Sequence, residues 1–387
     1  MSDTMEWRAH LPVDASCFGE GDTYLVHNVL PSDIISDVFQ RLRGEVKWAS
    51  MSHRGGDVPR LIAVEGEISP DGSFPIYRHP SDTAPPLLEF TPTVKRIRDH
   101  VSSLLHQPLN HVLIQWYRNG NDYIAEHADK TVDIVRGSAI INVSIGSQRT
   151  MILRFKKGHT SQHSEENITD DDTDNQKDSE NVHNGHNHQN HNHYLNNNPL
   201  SCPPPRKSQR IPLPHNSLFI LGPETNRKWT HGIKPDKRLE TLKSDEEIGE
   251  EFGGGRISLT FRWIGTFLGH SPSPSPRLSE RTNNDDKGTE MVGRANPMNR
   301  EDNADIDRDG DGDGDRDESI AVDEEKGRGM VIWGQGATGK TREEARVVVN
   351  GGEEAASLLR AFGEENHSPS FDWDSAYGGG FDVLHLI

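Results

Sequence analysis

Two histidines and an aspartate in this sequence have the residue types and spacing of a metal site. His127 and Asp129 lie two residues apart in the segment YIAEHADKT, so in an extended strand both side chains point to the same face. An isolated pair of this kind is commonly part of a polar loop. His231, in the segment KWTHGIKP, favours the metal interpretation. Two imidazoles and one carboxylate leave three coordination positions open, as in non-haem Fe(II) sites.

Two arginines further along the chain have the spacing of an anion site. Arg256 and Arg262 bracket the run RISLTFR, and because their separation is even, a strand would put both on one face. The residues between them are mostly apolar, and a buried guanidinium is costly unless it meets a carboxylate. The pair therefore predicts a site for a dicarboxylate co-substrate. The alternative is an edge strand whose arginines point outward.

These residues need strands to position them, and the sequence supplies short β-rich runs after a helical beginning. Ser32 and the pair Thr91-Pro92 each precede apolar residues at helical spacing, which predicts two helices. Later runs are rich in β-formers and bounded by Gly, Asn or Pro: 112–117, 138–146, 150–156, 216–222 and 256–265. This order favours a sandwich or barrel with helices packed on one face.

The composition limits how much of the chain can fold. Only 32% of the 387 residues are hydrophobic and the formal net charge is −19, of which 158–209 carries −5 and 270–327 carries −9. Neither segment has apolar periodicity, so both are expected to be disordered.

No apolar run is long enough for a membrane span, and the first residues do not resemble a signal peptide. With only two cysteines, the chain is expected to be intracellular, in the nucleus or cytoplasm.

The motifs together resemble a known family, the AlkB-like Fe(II)/2-oxoglutarate-dependent dioxygenases, and within it the eukaryotic DNA-repair branch. The matching segments are YRNGNDYIAEHAD at 117–129, LPHNSLFILG at 213–222, WTHGI at 229–233 and RISLTFR at 256–262. This resemblance implies a mainly β fold with flanking helices, built on a double-stranded β-helix, or jelly-roll, core.

Composition and resemblance together divide the chain into five parts. Residues 1–90 hold an N-terminal helix and a nucleotide-recognition lid, and 91–157 with 210–269 form the dioxygenase core. Residues 158–209 are a His/Asn/Asp-rich insertion, and 270–327 are an acidic linker. Residues 328–387 form a small C-terminal element expected to dock on the core through its apolar residues, Phe371, Trp373, Phe381, Leu384 and Leu386.

The resemblance also implies roles for single residues. His127, Asp129 and His231 would ligate Fe(II), with 2-oxoglutarate and O2 as co-substrates. Arg256 would bind the distal carboxylate of 2-oxoglutarate, and Arg262 would lie beside its iron-bound end.

Three further residues complete the expected 2-oxoglutarate site. Tyr117 would help Arg256. Gln115 and Ser258 stand where the family commonly has asparagine. Since both are polar, we expect co-substrate binding to be retained.

The implied reaction is oxidative demethylation of an N-alkylated base in DNA or RNA, which releases formaldehyde, succinate and CO2 and requires the base to be flipped out. Arg60 and Tyr77, within 48–80, belong to the expected lid. Repair members carry a base-reading acid two residues after the Asp129 position, where this chain has Thr131, with Asp133 following. Thr131 and Asp133 are therefore the remaining predicted substrate residues.

Alternatives remain open at this point. The same chemistry on a protein or small molecule is favoured by Thr131 and the acidic balance. An inactive barrel could serve as a binding module, and the acidic segments could bind basic proteins.

An ATPase is suggested by the P-loop-like sequence at 334–341, but too few residues follow it for a parallel sheet. The EF-hand-like pattern at 307–318 is better explained as a solvated acidic repeat. We expect a monomer.

Overall fold

The computed structural model describes residues 6–11, 15–53, 56–80, 85–157, 207–270 and 329–385. Most of the two predicted insertions, the EF-hand-like pattern and Leu386 lie outside these ranges. The strands are β1 Ser16–Phe18, β2 Thr23–His27, β3 Ser52–His53, β4 Gly56–Asp57, β5 Leu61–Gly66, β6 Phe74–Pro75, β7 Leu87–Glu89, β8 His111–Tyr117, β9 Ile124–His127, β10 Ile140–Gly146, β11 Arg149–Phe155, β12 Ser208–Leu213, β13 Ser217–Leu221, β14 Trp229–Ile233, β15 Arg256–Arg262, β16 Thr266–His270, β17 Met330–Gly334, β18 Arg346–Val347, β19 Val349–Asn350 and β20 Val383–His385. The α-helices are α1 Ser32–Ile35, α2 Val38–Glu45, α3 Pro92–Leu105, α4 Pro223–Lys228, α5 Asp245–Ile248, α6 Gly352–His367 and α7 Trp373–Tyr377.

Two sheets form the jelly-roll core. The large sheet has the order β1-β2-β13-β10-β15-β8-β5-β7 and is antiparallel except between β5 and β7. The small sheet has the order β12-β11-β14-β9. Apolar residues of both sheets share one buried cluster, in which Phe219 from the large sheet joins Leu153 and Ile211 from the small one. The mainly β, double-stranded β-helix fold that the sequence predicted is confirmed.

The helices cover the other face of the large sheet. One side of α3 is buried together with Val38, Phe39 and Leu42 of α2 and with the outward-facing residues of β10 and β15. Because successive side chains of a strand alternate between faces, Ile257, Leu259 and Phe261 point into this helical layer. The residues that alternate with them on β15, including both predicted arginines at its ends, therefore point to the interior between the sheets.

One helix prediction is confirmed and one is wrong. Thr91 is the N-cap of α3 and Pro92 occupies its first turn, as the sequence indicated. The predicted helix after Ser32 is instead two short helices, α1 and α2, because Asp37 between them has φ +52°, a left-handed conformation that interrupts helical hydrogen bonding. Among the described helices, none is long and apolar enough to span a membrane.

The C-terminal residues add a third sheet and two helices. Strand β17 pairs with β16, which directly follows the core, and the sheet order is β18-β17-β16-β6. Phe371, Tyr377 and Val383 share a buried cluster with Val132 of the core, with Trp373 and Phe381 packed against it. We refer to residues 329–385 as the C-terminal element.

The P-loop-like sequence forms a closed turn within this element. The Lys340 ammonium donates to the carbonyl oxygens of Gln335 (3.1 Å) and Ala337 (2.6 Å). A short 3-10 turn, Arg342–Glu344, follows where a phosphate-binding loop requires a long helix. The Lys340 ammonium is therefore already hydrogen-bonded to the carbonyl oxygens of its own loop. In a phosphate-binding loop it would have to be available to the phosphate.

Candidate active site

His127, Asp129 and His231 converge at one end of the small sheet. His127 is the last residue of β9 and lies directly opposite His231 of β14 in the register of the two strands. The Nε2 atoms of His127 and His231 lie 3.6 and 3.7 Å from Oδ1 of Asp129. Three potential ligand atoms, one from each residue, all lie within 4.8 Å of one another. Strand pairing thus brings together residues that are about 100 positions apart in sequence.

The environments of the two imidazoles suit them to bind a metal through a nitrogen lone pair. Nδ1 of His127 lies 2.8 Å from the carbonyl oxygen of Ala125, to which it donates in the tautomer that leaves Nε2 free. Burial, reinforced by the neighbouring His127, lowers the pKa of His231 to about 3. His231 is therefore neutral near pH 7, the form in which histidine binds a metal.

Asp129 is fixed from two directions. Its Oδ2 accepts hydrogen bonds from Nε (3.1 Å) and Nη2 (2.6 Å) of Arg262. Its backbone is held by Asn226, whose Oδ1 accepts from the Asp129 N–H (3.0 Å) and whose Nδ2 donates to the Asp129 carbonyl (2.9 Å). Burial alone would raise the pKa of Asp129, but Arg262 and His127 hold it well below its usual range. The carboxylate is therefore ionised, with Oδ1 turned toward the histidines.

Arg256 lies on the same inward face and is only partly hydrogen-bonded. Its Nη2 donates to Ser144 Oγ (2.8 Å) and Asn142 Oδ1 (3.3 Å). Nε and Nη1 are buried and have no partner in the part of the chain that the structure describes. The guanidinium carbon lies 5.3 Å from the centroid of the Tyr117 ring. Burial lowers the pKa of Arg256 to about 10, so the group is still cationic at neutral pH.

The polar residues predicted around Arg256 lie on neighbouring strands of the large sheet and form two hydrogen-bonded groups. Ser258 lies opposite Gln115 in the strand register, and Arg256 lies opposite Tyr117. The Tyr117 hydroxyl donates to Gln115 Oε1 (3.1 Å). Ser258 Oγ accepts from Asn142 Nδ2 (2.7 Å). The structure therefore places Gln115, Tyr117, Arg256 and Ser258 on the same inner surface.

Three residues that sequence reasoning missed support these groups. Asn142 and Ser144 hold Arg256, and Asn226 holds Asp129. For Asn142 and Ser144 a signal existed, because they alternate with Ile141, Val143 and Ile145, and polar residues at period two in an apolar strand mark an inward polar face. No local pattern singles out Asn226, since it lies in the six-residue helix α4.

The four predicted substrate residues have different environments. The Tyr77 ring lies 4.0 Å from the Arg262 guanidinium carbon, and its hydroxyl accepts from the Lys130 N–H (3.0 Å), so Tyr77 borders the metal ligands. Arg60 is buried and its Nη1 donates to the carbonyl oxygen of Tyr123 (2.9 Å). Thr131 donates through its N–H (3.0 Å) and its hydroxyl to the carboxylate of Glu365 in α6.

The prediction that Asp133 contacts substrate is corrected by the structure. Asp133 is completely buried, and Arg78 donates to both of its oxygens, with Nη2 to Oδ1 at 2.7 Å. The Arg78 N–H also donates to Asp133 Oδ2 (2.8 Å). Because both oxygens are engaged in this internal ion pair, the carboxylate stabilises the fold and is closed to a base.

Comparison with known families identifies the class of protein. Residues 22–262 match the model of the 2OG-Fe(II) oxygenase superfamily, and this match covers more than half of the chain. The chain therefore belongs to that superfamily and is an AlkB-like dioxygenase that uses Fe(II), 2-oxoglutarate and O2. The match contains every predicted metal ligand and both predicted arginines.

The most similar relatives include animal and plant proteins of one name. The chain is 26% identical over 235 residues to human DNA oxidative demethylase ALKBH2, covering 59% of this chain and 68% of the relative. Identity to the bovine ALKBH2 is also 26%, over 237 residues, covering 59% of this chain and 64% of that one. Among solved structures, that of OsALKBH1 aligns with a TM-score of 0.37 and 13% identity over 62% of this chain and 96% of its own.

The donor atoms fit the groups that this superfamily uses. Two imidazoles and one carboxylate are the ligand set of mononuclear Fe(II) oxygenases. The unpartnered Nε and Nη1 of the cationic Arg256 are suited to a carboxylate, since a buried guanidinium is otherwise left with unsatisfied donors. Metal and co-substrate would therefore each meet groups that the fold leaves available.

Proposed function

We propose that this chain removes N-linked methyl groups from alkylated bases in DNA by oxidative demethylation. The observation that carries this proposal is the convergence of His127, Asp129 and His231 within 4.8 Å, on the same inner surface as the partly unpartnered Arg256. When bound, Fe(II), 2-oxoglutarate and O2 supply the oxidising chemistry, in which a methyl carbon leaves as formaldehyde while 2-oxoglutarate becomes succinate and CO2.

Each residue of the site has a defined task in this reaction. His127 and His231 would hold the metal through Nε2, and Asp129 would hold it through Oδ1. Arg262 keeps the other oxygen of Asp129 occupied, which fixes the direction of the carboxylate and favours a single binding geometry. Asp129 and Arg262 are both buried, so the charge interaction between them is weakly screened by solvent.

The 2-oxoglutarate pocket would use the row of polar residues on the large sheet. Arg256 binds the distal carboxylate through Nε and Nη1, while its Nη2 remains anchored on Ser144 and Asn142. Tyr117 packs against the guanidinium and, with Gln115, limits the space beside it. Ser258 acts through Asn142, to which it is hydrogen-bonded.

A base as substrate is supported by the named relatives and by the aromatic residues beside the metal ligands. Tyr77 lies against Arg262, and the rings of Tyr77 and His79 are 5.7 Å apart. Burial lowers the pKa of His79 to about 4, so it is an uncharged ring at neutral pH. Flat, uncharged rings next to the reacting centre suit a flipped base, which needs a stacking surface. A DNA substrate would place the protein in the nucleus.

A second candidate is the same oxidation of a protein or small molecule. It is favoured by Thr131, because threonine is not an acid and stands where repair members carry a base-reading acid. The Thr131 hydroxyl is also engaged, since it donates to Glu365. The net charge of −19 also opposes binding to phosphates. The two candidates share every iron and 2-oxoglutarate residue and differ only in what enters the pocket.

The test is formaldehyde release by the purified, Fe(II)-loaded full chain with 2-oxoglutarate. The substrates are single- and double-stranded DNA and RNA oligomers that contain 1-methyladenine or 3-methylcytosine. We expect release from DNA by the wild type and none by His127→Ala or Asp129→Ala. His270→Ala, which changes an exposed histidine on β16, is the matched control and should retain wild-type release.

Other outcomes separate the alternatives. Release from RNA alone would refute DNA as the substrate. Succinate formation without formaldehyde from any oligomer, abolished in His127→Ala, would replace the nucleobase proposal with the protein or small-molecule candidate. Absence of both succinate and formaldehyde in the wild type would mean an inactive barrel that serves as a binding module.

A further inference from the structure

The segment that carries Asp129 has little secondary structure of its own. Residues 128–136 follow β9 and form no strand, apart from one isolated bridge between Ile134 and Ile264. Much of this segment is buried, including Ala128, Asp129 and Val132. Buried backbone N–H and C=O groups need hydrogen-bond partners, so this segment must find them on other elements.

Helix α6 supplies hydrogen-bond partners to the chain on both sides of Asp129. Oδ1 of Asn366 accepts a hydrogen bond from the Ala128 N–H (2.9 Å) and lies 3.4 Å from Nζ of Lys130. Oε1 of Glu365 accepts from both the N–H and the hydroxyl of Thr131. Two consecutive side chains of one helix thus hold the backbone one residue before Asp129 and two residues after it.

The rest of the segment is also held by the C-terminal element. Trp373 Nε1 donates to the carbonyl oxygen of Thr131 (3.2 Å). The Gln335 side chain donates to the carbonyl oxygens of Val132 and Ile134 and accepts from the Arg136 N–H at 3.1 Å. Backbone groups of residues 128, 131, 132, 134 and 136 are therefore bonded to a part of the chain that lies more than 190 residues later.

Glu365 and Asn366 are themselves fixed in place. Glu365 is 2% exposed, and its Oε2 accepts from the Tyr377 hydroxyl (2.7 Å). Nζ of Lys156 donates to the Glu365 carbonyl (2.6 Å) and to the Asn226 carbonyl (3.2 Å), and Asn226 holds the backbone of Asp129. Helix α6 is thus connected to the metal ligand by two routes, one through the segment and one through Lys156.

We propose that the C-terminal element is an integral part of the metal centre and that Glu365 and Asn366 are positioning residues for Asp129. The inference rests on the proposed role of Asp129 as a ligand. The superfamily match ends at residue 262, so these residues lie outside it. Partners that orient metal ligands without touching the metal typically change metal affinity about 10- to 100-fold when they are replaced.

The test is metal binding by the full chain, independent of any substrate. Co(II), which resists oxidation in air, is titrated calorimetrically into the metal-free protein. We expect Asn366→Ala to weaken Co(II) binding about 10- to 100-fold, because the Ala128 N–H loses its acceptor. Asn366→Asp retains a side-chain oxygen at that position and should recover most of the affinity.

A second pair of variants provides a matched comparison on the same helix. Glu365→Met removes the acceptors of Thr131 and should weaken Co(II) binding similarly. Glu364→Met makes the identical change at the preceding residue, which is exposed, and should bind Co(II) as the wild type does. The visible absorption of bound Co(II), which reports coordination geometry, should change in Asn366→Ala and not in Glu364→Met. Circular dichroism confirms that each variant is folded.

The inference is overturned if folded Asn366→Ala binds Co(II) with the affinity and spectrum of Glu364→Met. It is also overturned if Asn366→Asp binds as weakly as Asn366→Ala, because the hydrogen-bond acceptor would then be irrelevant. If the expected Co(II) affinities are found but no DNA oligomer is demethylated, the proposed substrate fails and the positioning role stands. Failure of the wild type to bind Co(II) would refute both.

Discussion

The ion pair between Arg262 and Asp129 gives the sharpest prediction, for the substitution Arg262→Met. The two side chains are 3% and 4% exposed, and the Nη2–Oδ2 distance is 2.6 Å. Methionine keeps much of the volume of arginine but removes the positive charge. The variant would leave an ionised carboxylate buried beside the imidazoles of His127 and His231.

Removing one partner of a buried ion pair costs about 3–5 kcal/mol, because the remaining charge is desolvated without compensation. With about 2–4 °C per kcal/mol for a domain of this size, we expect the metal-free variant to melt about 6–20 °C below the wild type. A divalent cation bound to Oδ1 of Asp129 would replace part of the lost charge. Metal should therefore stabilise Arg262→Met more than it stabilises the wild type.

The assay is urea unfolding and thermal melting of both proteins, with and without saturating Mn(II). Arg154→Met is the matched control, since Arg154 pairs with Glu126 at 2.9 Å but is 46% exposed. Exposed ion pairs contribute about 0–1 kcal/mol, so this control should lose little stability and respond to metal as the wild type does.

Two results would refute this reasoning. If metal-free Arg262→Met loses no more stability than Arg154→Met, the carboxylate of Asp129 does not depend on Arg262 for its charge balance. If Mn(II) stabilises Arg262→Met and the wild type equally, the metal does not interact with the charge that the substitution exposes, and Asp129 is not a ligand.

Three further predictions concern other parts of the molecule. Arg256→Met should raise the KM for 2-oxoglutarate about 30-fold or more, since loss of a buried charged partner costs at least about 2 kcal/mol; succinate formation measures this. Burial raises the pKa of Glu65 to about 7 from 4.5, so the native state holds a proton that the unfolded chain releases. Wild-type stability should therefore fall between about pH 4.5 and 7 relative to Glu65→Gln, as urea unfolding at both ends of this range would show. Asp133→Asn should cost about 3–5 kcal/mol of stability by leaving Arg78 unpaired, while the KM for a methylated oligomer stays unchanged in steady-state assays.

The sequence by itself determined five strands of the two core sheets, β8, β10, β11, β13 and β15, and the inward direction of both arginines on β15. Alternation at period two is a local property, so the inward face of β15 could be predicted from the residues alone. The strand expected to carry both His127 and Asp129 ends at His127, so Asp129 is placed by the contacts of an irregular segment and not by strand alternation. Helix α3 was also predictable, because Thr91-Pro92 is a local start signal. The sequence did not reveal the interruption at Asp37, since a left-handed residue there leaves no distinct pattern.

Only the tertiary structure decided which polar residues support the site. Asp133 looked available for substrate because its spacing from Asp129 was suitable, yet Arg78 occupies both of its oxygens. Glu365 and Asn366 gave no signal in a helix whose neighbouring residues are also polar. Their partners lie more than 230 residues earlier in the chain. Periodicity specifies which face of an element a side chain occupies, but the element it meets there is fixed by the packing of the whole domain.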